Sequence, residues 1–320
     1  MKRVNIERIL CPIDFSEFSR AALDQAVALA SWYGAELTLM HVIEVPQIAV
    51  DGLSAGNEVI APLPDRDKVA DDLRNFARPA LGTADVTMDV LVTFGIPPTA
   101  IRTHAAHRRA DLVVVGTHGR SGFQRFLLGS VTEKILRTIA VPLLIVPPPV
   151  NKPETVAYRT VLCAVDFSDE SMRGLDYALS LAQETGARII LLHALEGLLD
   201  ELDPQHVRRA SVLEYLRDAE QEAFARLRDA VPDEARVWSH PVERVVRGRA
   251  YRQILTMAEQ EDAGLIVMGV RGKGAFNRLV FGSTTEHVVR EAPCPVLTLH
   301  ADVALDRSEW LAEVDPRASR

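Results

Sequence analysis

The sequence contains two similar copies of one long segment, and this duplication limits its fold more than any other feature. The segment from Cys11 to Ser16 (Cys-Pro-Ile-Asp-Phe-Ser) returns from Cys163 to Ser168 as Cys-Ala-Val-Asp-Phe-Ser, at an offset of 152 residues. A period of this size is far longer than a solenoid repeat of about 20–50 residues and suits one whole domain. The sequence therefore predicts two similar domains in tandem.

Prolines and polar residues mark the expected domain borders. A proline-rich run near residue 150 separates the two copies, and the chain becomes polar after residue 305. Proline cannot donate to a strand ladder and stiffens a connection, so this run is the expected linker. We expect domains over 1–148 and 158–303, a linker over 149–157 and a tail over 304–320.

A glycine pattern, Gly-x2-Gly-x9-Gly-Ser, occurs once in each copy, between a short apolar run and a helix-like segment. Glycine lets a phosphate approach the backbone without a Cβ clash, and a helix N-terminus offers N–H donors and a positive dipole end. One glycine loop is weak evidence because such loops are common. Two such loops at equivalent positions of the two copies favour nucleotide binding. The pattern consists of Gly116, Gly119, Gly129 and Ser130, and of Gly269, Gly272, Gly282 and Ser283.

Strand-like and helix-like periods alternate within each copy, with continuous apolar strands. Such strands are typical of a parallel sheet that is covered on both faces. Right-handed crossovers then favour the fold class α/β, as two tandem doubly wound, Rossmann-like sheets of five strands in the order 3-2-1-4-5. Strands 1 and 4 are neighbours in that order, so Asp14 and Gly116 should converge on one crevice.

Two polar residues of this crevice allow both a functional and a structural interpretation. Asp14, like Asp166 in the second copy, could accept a hydrogen bond from a ribose hydroxyl or an adenine amine, or could cap the following helix. Ser130 could donate to a phosphate, and it is expected to cap a helix over Val131–Ile139. His118 is replaced by Arg271 in the second copy, so no catalytic residue is assigned.

Composition and charge exclude several classes of function. The net charge of −8 argues against binding to nucleic acid or anionic membranes. No stretch approaches the roughly 18 apolar residues of a membrane span, and no signal-peptide core is present, so we expect a cytoplasmic protein. The histidines show no metal-ligand spacing, and no metal site is assigned. Buried free thiols are predicted at Cys11, Cys163 and Cys294.

The chain resembles a tandem universal stress protein over about residues 5–147 and 158–300. The most specific matches in the first copy are Pro12-Ile-Asp-Phe-Ser16, His41-Val42, Gly116-Thr-His-Gly119 and Gly129-Ser-Val-Thr132. Members of the family that carry this glycine pattern bind ATP, so the resemblance implies ATP, with or without Mg²⁺, as the ligand.

The resemblance also implies which residues form the two sites. Asp14 and the backbone of Val42 would hold the adenosine end, and the glycine-pattern residues would hold ribose and phosphates. The implied site residues are Pro12, Asp14, Val42, Gly116, Gly119, Gly129, Ser130, Val131 and Thr132, then Asp166, Ala194, Gly269, Gly272, Gly282, Ser283, Thr284 and Thr285. Family dimers often pair through the last strand, which implies an intrachain pseudo-dimer here and allows a further homodimer.

Three functions remain open on the sequence alone. The first is a stress-response protein in which bound ATP switches the conformation or the oligomeric state. That switch would expose a surface to an unknown protein partner. The second is a slow ATPase or phosphotransferase, and the third is an interaction scaffold without nucleotide. The intact glycine pattern favours the first.

Overall fold

The computed structural model describes residues 4–44, 64–118, 128–148, 158–196, 209–270 and 282–300. The chain divides into one compact unit over Asn5–Val156 and another over Ala157–Ala301, called here the first and the second unit. Each unit is an α/β layer structure with its own buried core.

Strands and helices alternate in the parts of the first unit that the structure describes. The strands are β1 (Arg8–Pro12), β2 (Glu36–Ile43), β3 (Met88–Phe94), β4 (Leu112–Gly116) and β5 (Leu143–Val146). The helices are α1 (Glu17–Tyr33), α2 (Arg66–Leu81), α3 (Pro97–His107) and α4 (Ser130–Thr138).

Among the described residues, the second unit repeats this order and also has a short helix directly before its third strand. The strands are β6 (Thr160–Ala164), β7 (Arg188–Leu195), β8 (Val242–Arg247), β9 (Leu265–Gly269) and β10 (Val296–Leu299). The helices are α5 (Asp169–Thr185), α6 (Arg209–Ala230), α7 (Asp233–Ser239), α8 (Ala250–Gln260) and α9 (Ser283–Glu291).

The sheet of each unit is parallel and has the predicted order. In the first unit it runs β3-β2-β1-β4-β5, and in the second β8-β7-β6-β9-β10. The chain leaves β1 toward β2 and returns to β4 on the other side, so right-handed crossovers place α1 and α2 on one face and α3 and α4 on the other. The predicted doubly wound fold class is confirmed, and its switch point lies between β1 and β4.

Local sequence signals explain where α1 begins and ends. Ser16 is the N-cap, and its side chain accepts from the backbone N–H of Ser19; Gly34 ends the helix in the left-handed conformation, with φ at 64°. The second unit uses Ser168 and Gly186 in the same way. Both signals are readable in the sequence because a serine N-cap and a C′ glycine satisfy the helix ends.

The helix after the glycine pattern begins one residue earlier than predicted. Its N-cap is Gly129, so the prediction that Ser130 caps the helix is wrong. Ser130 is instead the first helical residue, and its side chain is exposed. Gly129 has an extended backbone conformation and is the residue from which the chain enters the helix.

Apolar strands and helix faces fill the core of each unit, and the central strands are almost entirely buried. No helix in the described parts of the chain combines the length and hydropathy that a membrane crossing needs. The thiols are buried and free, as the sequence predicts, at Cys11, Cys163 and Cys294.

Candidate functional site

The candidate site of each unit lies where its two central strands end. β1 pairs with both β2 and β4, and the chain leaves it toward α1 at Pro12, which is half-buried. β4 ends at Gly116, and the backbone N–H of Gly129 donates to the carbonyl of Thr117 at 2.8 Å. That bond returns the start of α4 to the end of β4. The structure therefore brings Asp14, Gly116, Gly129 and Ser130 to the same edge of the sheet, the usual position of a ligand in a doubly wound fold.

Asp14 is held by a hydrogen-bond chain that fixes the start of α1. Its Oδ1 accepts from the backbone N–H of Ser16 at 3.0 Å and from the Ser16 hydroxyl at 2.6 Å. The Ser16 oxygen in turn accepts from the N–H of Ser19 at 3.2 Å. Asp14 therefore supports the helix cap through Ser16, rather than capping the helix itself.

The second unit repeats this chain of bonds. Asp166 accepts from the N–H of Ser168 at 3.0 Å and from its hydroxyl at 2.5 Å. Ser168 accepts from the N–H of Ser171 at 3.3 Å. Both aspartates are half-buried, so their carboxylates are oriented by the protein and remain within reach of the crevice.

A phenylalanine in a left-handed backbone conformation follows each aspartate, and sequence reasoning did not identify it. Phe15 has φ at 65° and Phe167 at 63°, a region that bulky residues rarely adopt. The Phe15 ring lies 4.9 Å from the His41 ring and meets Phe76 edge-on at 5.5 Å. The signal available was the recurrence of Asp-Phe-Ser in both copies, since strained residues held by their surroundings concentrate at functional turns.

His41 ties the ends of β1 and β2 together. Its Nδ1 lies 2.6 Å from the carbonyl oxygen of Ile13, and His193 makes the same contact with Val165. This agrees with a structural role for these histidines. Among the described residues, no group of three or more His, Cys, Asp or Glu side chains could hold a metal ion.

Val42 lies in a notch beside the end of β1. The pairing of β1 with β2 ends at Pro12 opposite Met40, whereas β2 pairs with β3 as far as Ile43. The part of β2 that contains Val42 thus extends beyond its neighbour. Ala194 lies in the equivalent part of β7, which extends beyond the end of β6.

The first glycine of each pattern is required by packing inside the protein. A Cβ at Gly116 would lie 2.8 Å from the carbonyl oxygen of Phe18 and 2.9 Å from its Cβ. A Cβ at Gly269 would lie 2.8 Å from the Cβ of Glu170. These helices approach the strand ends so closely that a side chain does not fit, whether or not a phosphate binds.

Thr132 and Thr285 direct their hydroxyl groups inward. Thr132 is buried and donates to the carbonyl of Gly116 at 2.8 Å. The Thr285 hydroxyl lies 3.1 Å from the carbonyls of both Gly269 and Val270. Each threonine connects the first turn of its helix to the end of a strand, so its hydroxyl proton is used in a hydrogen bond within the protein.

Unlike α1 and α5, the N-termini of α4 and α9 are not capped by any side chain in the part of the chain that the structure describes. Gly129 and Gly282 are their N-caps, and neither helix has a side-chain hydrogen bond to its first turn from the described residues. Ser130 and Ser283 are exposed at the first helical position, and Val131 and Thr284 follow half-buried. The first N–H groups of a helix need partners from side chains, water or a ligand, so these ends can accept an anion.

His118 lies beside the first of these helix ends. Its Nδ1 is 3.0 Å from the Thr117 hydroxyl oxygen, and its ring is 5.0 Å from the Phe18 ring. Its Nε2 is buried without a hydrogen-bond partner among the described residues. The residues present therefore fit an anionic nucleotide. Gly119 and Gly272 lie outside the described residues.

Comparison with known proteins decides the family. The profile of the Universal stress protein family matches residues 5–147 and again residues 157–300. The chain belongs to the universal stress protein family. It is a tandem member, because the two matches together cover nearly the whole chain.

Relatives of this universal stress protein include single-unit and tandem proteins. A universal stress protein of Thermus aquaticus is 38% identical over 140 residues, which are 44% of this chain and 97% of that protein. One from Mycolicibacterium smegmatis is 29% identical over 304 residues, 91% of this chain and 96% of that protein. A crystal structure from Archaeoglobus fulgidus, at 23% identity, covers 94% of this chain and 100% of its own, with a TM-score of 0.59. The last likeness supports the fold.

Proposed function

We propose that this universal stress protein binds ATP at the carboxyl ends of the strands in each unit, and that occupancy is its output in the cytoplasm. The observation that carries the proposal is the pair of helix N-termini, at α4 and α9, that receive no side-chain cap from the described residues. Each lies beside a doubly wound switch point, whereas the neighbouring α1 and α5 are capped by Ser16 and Ser168.

Phosphates would occupy these helix ends. Uncapped N–H groups and the positive end of the dipole favour an anion there, and the exposed Ser130 and Ser283 hydroxyls can each donate one more hydrogen bond. Any Mg²⁺ would be held mainly by the phosphates, since this ion usually keeps several waters and few protein ligands.

The adenosine end would lie toward β1 and β2 in the first unit. Asp14 is already oriented by Ser16, and Val42 lies in the notch where β2 extends beyond β1. A carboxylate in this position can accept a hydroxyl or amine hydrogen. The matching residues of the second unit are Asp166 and Ala194.

ATP bound in this way would stabilise the competent conformation by mass action. At a nucleotide concentration a hundredfold above Kd the gain is about 2.7 kcal/mol. A gain of that size can shift an equilibrium between conformations or oligomers and so expose a surface to a protein partner. Pairing through the last strands, as an intrachain pseudo-dimer or a homodimer, stays part of this proposal.

The test is calorimetric titration with MgATP after removal and identification of any nucleotide that co-purifies. We expect a stoichiometry near two for the parent chain. Ser130→Asp and Ser283→Asp should each leave one site at the parent affinity and weaken the other, because the new carboxylate takes the place of the phosphate at the helix end. At about 5 Å, the repulsion between the carboxylate and one phosphate charge is about 1–3 kcal/mol, which weakens binding about 5- to 150-fold.

The same substitution should not destabilise the fold. An acidic residue in the first turn of a helix is favourable by about 0.3–1 kcal/mol, so the free energy of unfolding should stay level or rise. Thr138→Asp is the matched control, since it puts the same charge at the exposed far end of α4. We expect that variant to keep its ATP affinity. Unchanged affinity in Ser130→Asp and Ser283→Asp together would refute the placement of the phosphates.

A further inference from the structure

The two candidate sites differ at one position of the wall that lies beside the end of the fourth strand. In the first unit this position is Phe18, whose backbone and Cβ are the nearest atoms to a Cβ at Gly116. In the second unit it is Glu170, whose Cβ would lie 2.8 Å from a Cβ at Gly269. The two residues are equivalent in the repeat, at the offset of 152 that also relates Asp14 to Asp166.

The first wall is aromatic and uncharged at this position. The Phe18 ring lies 5.0 Å from the His118 ring, and both residues are half-buried. Phe18 thus adds apolar surface and no charge next to the start of α4. An anion bound at that helix end meets no repulsion from this residue.

The second wall carries a carboxylate at the same position. Glu170 belongs to the acidic first turn of α5, and within the described part of the chain it forms no ion pair. A half-buried carboxylate repels phosphate charges more strongly than a fully solvated one, because the effective dielectric constant falls with burial. The repulsion grows with every phosphate charge on the ligand.

We propose that Phe18 and Glu170 make the two sites unequal, so that the first prefers a nucleoside triphosphate and the second a nucleotide with fewer phosphate charges. This inference rests on the proposed function and names the ligand class of each site. Arg271, which replaces His118 in the second copy, lies outside the described residues. Removal of the negative charge of Glu170 favours phosphate binding whether or not a cation of that loop also contacts the phosphates. The expected direction of the change is therefore the same in both cases.

The experiment isolates each site and compares ATP with AMP. Ser283→Asp leaves the first site and Ser130→Asp leaves the second, and titration calorimetry gives Kd for both nucleotides in each background. We expect the ratio of the AMP Kd to the ATP Kd to be larger at the first site. At the second site, Glu170→Gln should raise that ratio about three- to tenfold, because one nearby negative charge is removed.

A matched control separates the position from a general effect of charge. Asp169→Asn removes the same charge from the same helix turn, but Asp169 is exposed, so it should shift the ratio less than Glu170→Gln does. The converse change, Phe18→Glu at the first site, should lower the ratio.

Three outcomes would overturn the inference. Equal AMP-to-ATP ratios at the two isolated sites would do so, as would a Glu170→Gln variant that changes both affinities by the same factor. Either result leaves ATP binding itself intact. Failure of the parent chain to bind ATP or AMP at all would overturn the proposed function together with this inference.

Discussion

Gly116→Ala gives a direct test of why the glycine pattern begins with glycine. The new methyl group would lie 2.8 Å from the Phe18 carbonyl oxygen and 2.9 Å from the carbonyl carbon and Cβ of that residue. Carbon contacts are optimal at about 3.5–4.0 Å, so the first turn of α1 would have to move by about 0.5–1 Å. Two of the three contacted atoms are backbone, and a change of side-chain rotamer cannot relieve the contact.

The expected cost follows from overpacking of a close-packed interior. Such insertions destabilise by about 1–3 kcal/mol, which corresponds to a fall of about 2–10 °C in the melting temperature of a unit of this size. The displacement also acts on the cap of α1 at Ser16, because Phe18 lies in the first turn of the same helix. The assay is thermal and urea unfolding of the nucleotide-free protein, followed by circular dichroism.

Gly174→Ala is the internal control for this prediction. Gly174 lies inside α5, and a Cβ there would be 3.5 Å from Val267 Cγ1, an ordinary contact. The equivalent residue of the first unit is already alanine, the buried Ala22. We expect Gly174→Ala to stabilise by about 0.5–1 kcal/mol, since alanine is the better helix former. If Gly116→Ala were as stable as the parent protein without nucleotide, the packing explanation would be refuted.

Two further predictions concern titratable groups. Burial, together with nearby His107 and Arg108, lowers the pKa of His104 below its ordinary value. As the pH falls, the unfolded chain therefore binds a proton at His104 before the folded protein does. The free energy of unfolding should then decrease as the pH falls below about 6.5 toward the folded pKa. His104→Asn should lose that part of the pH dependence in urea titrations at pH 7.5 and pH 5.5, and an unchanged dependence would contradict it. Burial also raises the pKa of the thiols, to about 12 for Cys163 and Cys294 and further for Cys11. A thiol-specific chromogenic reagent at pH 8 should therefore react with the three only after denaturation, and fast reaction of the native protein would show that a thiol is accessible.

Much of the fold was predictable because the duplication displays each signal twice. The ends of α1 are marked by residue types that signal them, with serine at the N-cap Ser16 and glycine at Gly34. These features depend on local chemistry, in which each residue signals its own conformation. The strand order followed from continuous apolar strands and the handedness of crossovers.

The roles of the site residues were less predictable, since they depend on contacts between elements distant in sequence. Gly116 needs to be glycine because of α1, and the Thr132 hydroxyl serves the end of β4. Neither fact is visible in the glycine spacing, which indicates a loop but not the neighbours of that loop. Phe15 was missed for a related reason, because its ring contacts with His41 and Phe76 hold a conformation that its own propensity opposes.

The left-handed phenylalanines also carry historical information. Phe15 and Phe167 share the same unusual φ and both pack against a histidine, at ring distances of 4.9 Å and 4.8 Å. A conformation this uncommon in both halves is most simply inherited from a single ancestral unit that existed before the gene doubled. Phe18 and Glu170 then record divergence after that event. Comparison of the two halves therefore separates features older than the duplication, such as the left-handed phenylalanines, from those that changed after it.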